Sequence, residues 1–235
     1  MKSTLAILLT TALSTAPSFA ALYNVDWGKN NAPVTIGLYS GAAAVGSSGD
    51  TWNTTDPEVS GPLVDIFDSS GAPTTVDVSW INLSSSWTET DINYSTSGPG
   101  GTDLNPLMRD YGFTFPSQTA TVTIAQLPLN VDYTIYLSGH PNGASQDVTF
   151  AVTGAAESAQ TLSGNVKLDN DGYAAGVDYT VFNGNTGALG QIVYTQTSLT
   201  GNFSGSAGFQ LDVVPEPSVA LLGGLGLLGL LRRRR

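Results

Sequence analysis

Tyr133-Thr134-Ile135-Tyr136-Leu137 is the stretch that decides the fold. Tyr133, Ile135 and Leu137 alternate with Thr134 and Tyr136, and a period of two places one set of side chains on the buried face of a β-strand. The same alternation predicts further buried faces at Val76, Val78 and Trp80, at Val148, Phe150 and Val152, at Val177, Tyr179 and Val181, at Ile192 and Tyr194, and at Phe209, Leu211 and Val213. Val34 to Tyr39 and Thr119 to Ala125 are two more candidate strands.

Turn-forming residues separate these strands. They cluster at Asn30-Asn31-Ala32-Pro33, at Ser97-Gly98-Pro99-Gly100-Gly101, at Pro141-Asn142-Gly143 and at Asn183-Gly184-Asn185. One short helix is expected at Leu104 to Arg109, with Asp103 as its cap. Many short strands without a long helical stripe predict an all-β fold, a single antiparallel β-sandwich or jelly roll with Trp80 in its core.

The end of the chain combines three different segments. Val-Pro-Glu-Pro at Val214 to Pro217 precedes an apolar Gly/Leu run from Ser218 to Leu231, and four arginines follow. As a helix this run spans about 21 Å, short of the ~30 Å bilayer core, and long basic side chains offset part of the deficit by reaching the interface. Because a cluster of arginines stays on the cytoplasmic side, the chain before this transmembrane segment faces outwards. The basic stop consists of Arg232, Arg233, Arg234 and Arg235.

This order of segments resembles the PEP-CTERM sorting signal of bacteria that produce exopolysaccharide. The matching motif is Pro215, Glu216 and Pro217, followed by the apolar run and the basic end. The resemblance implies a temporary inner-membrane anchor that the membrane transpeptidase exosortase cuts near this motif. It also implies delivery to the cell surface or extracellular matrix. An ordinary C-terminal transmembrane anchor is the alternative.

The start of the chain has the pattern of a secretory signal peptide. Lys2 provides the positive charge, Leu5 to Leu13 the apolar segment, and Ser18-Phe19-Ala20 a small-residue cleavage site. An uncleaved signal anchor is the alternative. We therefore expect a signal peptide at residues 1–20 that uses the secretion translocon, a β-sandwich domain at residues 21–213 and the sorting signal at residues 214–235.

The mature segment is strongly acidic. Five of the 8 basic residues lie in the two end segments, which leaves Lys29, Arg109 and Lys167, and of the 19 acidic residues only Glu216 is lost. Three basic and eighteen acidic residues give a net charge of −15. Such a surface repels nucleic acid and anionic membranes. The chain has no cysteine, which excludes disulfides and thiolate chemistry.

Several short motifs of the mature segment are similar to those of planctomycete and verrucomicrobial exported proteins with the same sorting signal. They are Tyr39 to Ala44, Gly49 to Asn53, the strand at Tyr133 to Leu137, and Gly208 to Leu211. This resemblance implies a galactose-binding-like jelly roll whose last strand closes the domain just before the sorting signal. It implies no catalytic residues.

Catalytic signals are few in this chain. His140 is the only histidine, and no G-x-S-x-G nucleophile motif accompanies it. Three glutamates, Glu58, Glu89 and Glu157, remain in the mature segment, all in polar surroundings that do not raise a carboxyl pKa. We therefore expect a non-enzymatic protein at the cell surface or in the matrix, associated with exopolysaccharide. An extracellular polysaccharide hydrolase that uses paired carboxylates is the alternative.

Two kinds of binding site are candidates. Trp52 and Trp87 lie in polar stretches, where exposed rings would pack against sugars, although packing within the fold is the alternative. Asp169 and Asp171, in Asp169-Asn170-Asp171-Gly172, offer oxygen ligands to Ca²⁺. This segment lacks the downstream glutamate of an EF-hand, so a hairpin turn rich in Asp and Asn is the alternative.

Overall fold

The computed structural model describes residues 20–28, 39–58, 60–85, 104–108, 111–139, 147–163, 173–198 and 203–214. These residues belong to one compact unit, Ala20–Val214, and residues 1–19 and 215–235 lie outside the described part. The strand predicted from Val34 and the turns predicted near residues 30, 97 and 141 also lie outside it.

Within the described residues the fold consists of twelve strands and two short helical turns. The strands are β1 Ala21–Asp26, β2 Asn53–Thr54, β3 Asp77–Ile81, β4 Ser84–Ser85, β5 Gly112–Thr114, β6 Thr119–Ala125, β7 Asp132–Gly139, β8 Val148–Val152, β9 Gln160–Leu162, β10 Tyr179–Asn185, β11 Ile192–Ser198 and β12 Ser204–Val214. The helix α1 spans Asn105–Met108, inside the predicted range, and a 3-10 turn spans Gly187–Leu189.

The strands form two sheets. Sheet A has the order β10-β7-β12-β1-β2, with β5 on β12 and β4 on β5, and sheet B has the order β3-β6-β11-β8-β9. Pairing is antiparallel except between β1 and the two-residue strand β2. The predicted all-β sandwich is therefore confirmed, and β6 and β8 have the predicted bounds.

The main core lies between the two sheets and is built by alternate residues. Along β7, the side chains of Tyr133, Ile135 and Leu137 are buried, as their alternation with Thr134 and Tyr136 predicts. The inward-facing side chains of sheet B form the other half of this core. Full burial of one Val, Leu, Ile or Phe side chain contributes about 1.5–3 kcal/mol. Further fully buried members are Val78, Val122, Ile124, Phe150, Phe182, Phe209 and Leu211.

Strand β12 lies in the middle of sheet A and ends where the sorting motif begins. Val213 pairs with Ala21 on β1 and with Tyr133 on β7, and Val214 pairs with Asp132. The next residue, Pro215, has no backbone N–H to continue the ladder. The first and last residues of the predicted mature chain are thus neighbours in one sheet.

The predicted phase of β10 is wrong. Thr180 and Phe182 point into the core, whereas Tyr179 and Val181 are half-buried on the outer face of sheet A. The predicted turn at Asn183-Gly184-Asn185 is also wrong, because these residues end the strand opposite Thr134, Tyr133 and Asp132. Gly184 is required there, since a Cβ at this position would overlap the buried ring of Tyr133.

Trp27 and Trp80 contact each other at the main core. Trp80 has the predicted phase, but it is half-buried and packs against the main core from its edge. Its indole N–H donates to the carbonyl of Pro57 at 3.0 Å. Trp27 is fully buried and meets Trp80 edge to face, with ring centroids 5.4 Å apart.

Candidate functional site

A second apolar cluster contains Trp52, which corrects one predicted binding residue. The Trp52 side chain is only 4% exposed, its indole N–H donates to the carbonyl of Gly41 at 2.9 Å, and its ring meets Tyr39 edge to face at 5.1 Å. Its ring faces are therefore not open to a sugar. The sequence left both sugar binding and packing open for Trp52, because its partners come from distant segments: Leu104, Leu107, Met108 and Ala207.

Residues 39–52, here called the covering segment, lie over part of the outer face of sheet A. The Gln210 side chain on β12 accepts a hydrogen bond from the backbone N–H of Val45 at 3.1 Å and donates to the carbonyl of Val45 at 3.1 Å. On β1, the Asn24 side chain donates to the carbonyl of Thr51 at 2.9 Å. The covering segment thus occupies the outer face along β1 and β12.

The neighbouring outer face keeps accessible side chains on β7, β10 and β12. Tyr136 on β7 stands between Gln210 on β12 and Val181 on β10, and Thr134 stands between Asp212 and Asn183. Tyr136, Tyr179 and Asp212 are each half-buried. We call Tyr136, Tyr179 and Asp212, with Thr134 and Asn183 beside them, the tyrosine face.

Aromatic contacts fix the rings of the tyrosine face. The rings of Tyr136 and Tyr179 meet edge to face, with centroids 5.9 Å apart and planes at 61°. Tyr179 also stacks on Tyr173 at 4.9 Å and 28°. The hydroxyl of Tyr173 shares a hydrogen bond of 2.5 Å with Ser138, and Tyr173 packs against the second apolar cluster. Tyr173 therefore contacts both Tyr179 of the tyrosine face and the apolar cluster that contains Trp52 of the covering segment.

The pKa values of Tyr136, Tyr179 and Asp212 are all raised, and the two tyrosines are neutral. Burial raises the pKa of Tyr136, and the nearby Asp212 carboxylate raises it further. Burial and then Asp178 raise the pKa of Tyr179 in the same way. Burial also raises the pKa of Asp212. The neutral phenol of Tyr136 thus lies beside a carboxyl group that has lost part of its hydration.

A cleft of about 510 Å³ adjoins this face where β7 begins and β10 and β12 end. Its polar groups are held by hydrogen bonds: Asn185 donates to Asp132 at 2.8 Å, and Thr134 donates to Asn183 at 2.9 Å. Asn183 donates to both carboxylate oxygens of Glu157, at 2.7 Å each, and these bonds lower the pKa of Glu157. Among the described residues that line the cleft, Asp132 is the only carboxylate.

A group of exposed phenylalanines lies on a different part of sheet A. Phe115 and Phe203 are 44% and 41% exposed, and their rings pack on each other and on Phe113 with centroids 5.2–5.6 Å apart. These side chains form a hydrocarbon surface without hydrogen-bonding groups.

The other predicted site residues lie outside the described part of the chain. They are Trp87, His140, Asp169, Asp171, Pro215, Glu216, Pro217, Arg232, Arg233, Arg234 and Arg235. The Ca²⁺ site and the Trp87 site remain predictions. Within the described ranges, no group of three or more His, Cys, Asp or Glu side chains is arranged to hold a metal ion. None of the helices in those ranges is long and apolar enough to cross a membrane.

The comparison with protein families defines the class of signal at the end of the chain. Residues 213–235 match the PEP-CTERM protein-sorting motif. The protein is therefore an exported protein that is anchored transiently at a membrane, and this signal implies processing by exosortase. None of the curated proteins compared with the chain matches it significantly.

The domain has low structural similarity to solved structures of two carbohydrate-binding proteins and a galactanase. A family 35 carbohydrate binding module from Clostridium thermocellum is 9% identical with a TM-score of 0.32, covering 65% of this chain and 98% of the module. TmCBM61 in complex with β-1,4-galactotriose is 11% identical with a TM-score of 0.25, covering 57% and 80%. An exo-β-1,3-galactanase from Phanerochaete chrysosporium is 17% identical with a TM-score of 0.27, and the likeness spans 63% of this chain and 36% of the galactanase. Likenesses at these values establish no ligand for this chain.

Proposed function

We propose that this protein is a non-enzymatic exopolysaccharide-binding protein of the cell surface or extracellular matrix, and that the tyrosine face is its binding site. The observation that carries the proposal is the pair of half-buried rings, Tyr136 and Tyr179, whose centroids are 5.9 Å apart, with Asp212 next to Tyr136. Aromatic rings pack against the apolar faces of sugars, and ordered polar groups beside them select the hydroxyls.

The polar groups around the rings suit a chain of hydroxyls. On this face of the sheet, the pair Thr134–Asn183 is next to the pair Tyr136–Val181, and the pair Asp132–Asn185 follows. These groups are already ordered by hydrogen bonds to each other, so binding costs little side-chain entropy. The cleft beside them would accept a further sugar residue.

Support for a surface location comes from both ends of the domain. The PEP-CTERM signal follows β12 directly, and Ala21 at the expected signal-peptide cleavage site pairs with Val213. After both cuts, the remaining segment would be the β-sandwich with its sheets intact. A protein of this kind would link polysaccharide to the envelope without altering it.

The residues of the cleft do not favour the alternative of a polysaccharide hydrolase. Such an enzyme needs an acid with a raised pKa and a second carboxyl group on the other side of the bond. Here the hydrogen bonds from Asn183 lower the pKa of Glu157, which keeps it ionised. Burial raises the pKa of Asp212, and this residue lies on the tyrosine face beside the phenol of Tyr136.

A glycan array with the purified protein tests the proposal. We expect binding to extracellular polysaccharide fragments that falls by about five- to thirtyfold in Tyr136→Ala and Tyr179→Ala, because each ring supplies roughly 1–2 kcal/mol of contact. The matched control is Phe67→Ala, which removes a 47% exposed aromatic ring from another part of the domain. An array without any binding, or equal losses in all three variants, would contradict the proposal.

A further inference from the structure

Among the described residues, the charged side chains near the tyrosine face are all acidic. Asp212 lies close enough to Tyr136 to raise the pKa of its phenol, and Asp178 does the same to Tyr179. Asp132 lines the adjoining cleft, and Glu157 accepts hydrogen bonds from Asn183, which lines it too. All 8 basic residues and the single histidine of the chain lie outside the described residues. Among the residues described around the face, none is a cation that would pair with an anionic sugar.

We infer that the tyrosine face selects polysaccharides that carry free amino groups, such as partly deacetylated hexosamine polymers, over neutral or uronic-acid polymers. This inference rests on the proposed function, since it names the ligand class for the same site. The geometry that supports it is a half-buried carboxylate, Asp212, which lies opposite Thr134 on β7 and beside the ring of Tyr136, and Tyr179 holds that ring edge to face.

An ammonium group gains two interactions at such a place. It pairs with the Asp212 carboxylate, whose partial burial weakens the screening by water. It also meets the negative face of the Tyr136 ring, which lies next to Asp212 on the same face of the sheet. A uronate carboxylate placed there would meet Asp212 as a like charge, and a neutral hydroxyl or acetamide would gain neither interaction. The net charge of −15 on the expected mature segment attracts cationic polymers from a distance in the same direction.

Three hexasaccharides test this selectivity: β-1,4-linked glucosamine, the same oligomer fully N-acetylated, and oligogalacturonate. The full chain is used, solubilised in a detergent without a sugar head group, and affinities are measured by calorimetry at 20 mM and 150 mM salt. We expect the glucosamine oligomer to bind about tenfold more tightly than its acetylated form, with the preference reduced at the higher salt concentration. The oligogalacturonate should bind most weakly.

The variant Asp212→Asn keeps the shape of the side chain and removes its charge. We expect it to lower the affinity for the glucosamine oligomer by about tenfold and to leave the affinity for the acetylated oligomer unchanged. Asp65→Asn is the matched control, because it removes the same charge from an exposed loop residue. Melting temperatures of both variants verify that they are folded. Tyr136→Phe, which keeps the ring, should retain the preference.

The outcomes separate this inference from the proposed function. Equal affinities for the amino and acetylated oligomers would overturn the selectivity while leaving glycan binding intact. An equal loss in Asp212→Asn and Asp65→Asn would overturn the assignment of the preference to this face. Absence of binding to all three oligomers and to the wider array would overturn both the proposed function and the inference.

Discussion

Replacement of Trp52 by alanine tests whether the covering segment is a structural support. Trp52 is 96% removed from solvent, since its side chain is 4% exposed, and it packs with Tyr39 and with residues of α1. A buried tryptophan covers roughly 200 Å², which at about 25 cal/mol per Å² corresponds to about 5 kcal/mol. Structure in the unfolded chain reduces this figure to roughly 3–4.5 kcal/mol.

The lost hydrogen bond adds to this cost. Without the indole N–H, the carbonyl of Gly41 loses a partner at 2.9 Å, worth about 1 kcal/mol. We therefore expect Trp52→Ala to lower the free energy of unfolding by about 4–5 kcal/mol, which for a domain of this size lowers Tm by roughly 8–20 °C. Trp52→Phe keeps most of the burial and should cost about 1–2 kcal/mol.

Calorimetry or far-UV circular dichroism is the suitable assay, because both are independent of the indole fluorescence that the substitution removes. Phe67→Ala serves as the control and should change stability by less than about 0.5 kcal/mol. A Tm of Trp52→Ala within 2 °C of the wild-type value, as an exposed binding residue would give, would refute the reasoning. Because Tyr173 connects this cluster to Tyr179, we also expect weaker glycan binding in the Trp52→Ala protein.

Three further predictions concern the sheets and the end of the chain. Gly208→Ala should destabilise the domain by about 3 kcal/mol or more in thermal unfolding, because the new Cβ would overlap the carbonyl oxygen of Val25. The control Gly61→Ala should leave the stability nearly unchanged, because there is open space around that position. Since burial raises the pKa of Asp212, the wild type should gain stability relative to Asp212→Asn as the pH falls through that raised pKa. The full gain should be present below about pH 3.9, the pKa of an aspartate in the unfolded chain. A difference in Tm between the two proteins that stays constant as the pH falls would contradict this prediction. Mass spectrometry of the processed protein should find its C-terminal end at or after Val214 and no terminal arginine peptide, because Val213 is buried and paired on both sides.

Strand positions in this chain follow from local patterns, because alternation is a local property. The bounds of β6 and β8 and the buried face of β7 agree with the sequence prediction. Strand β10 differs, since Tyr179 and Val181 on one side and Phe182 on the other give two plausible buried faces. Its phase is decided by pairing with β7, where Phe182 stands opposite Ile135. Strand β1 escaped prediction because its short run directly follows the expected signal peptide.

The candidate site depends on contacts between segments far apart in sequence. Trp52 stands among polar neighbours, yet α1 and Ala207 bury it from a distance of more than fifty residues. Asp212 and Tyr136 become neighbours only through the register of β12 on β7. By contrast, the sorting signal is a linear motif, and its residues were readable directly from the sequence.

The most direct test of the binding site is an NMR titration of the protein with an extracellular polysaccharide fragment. We expect the largest changes in chemical shift at Tyr136, Tyr179 and the backbone amide of Asp212. The chemical shifts of the Phe115 and Phe203 rings should stay unchanged. Shift changes centred on the phenylalanine group, with the tyrosine face unchanged, would contradict it.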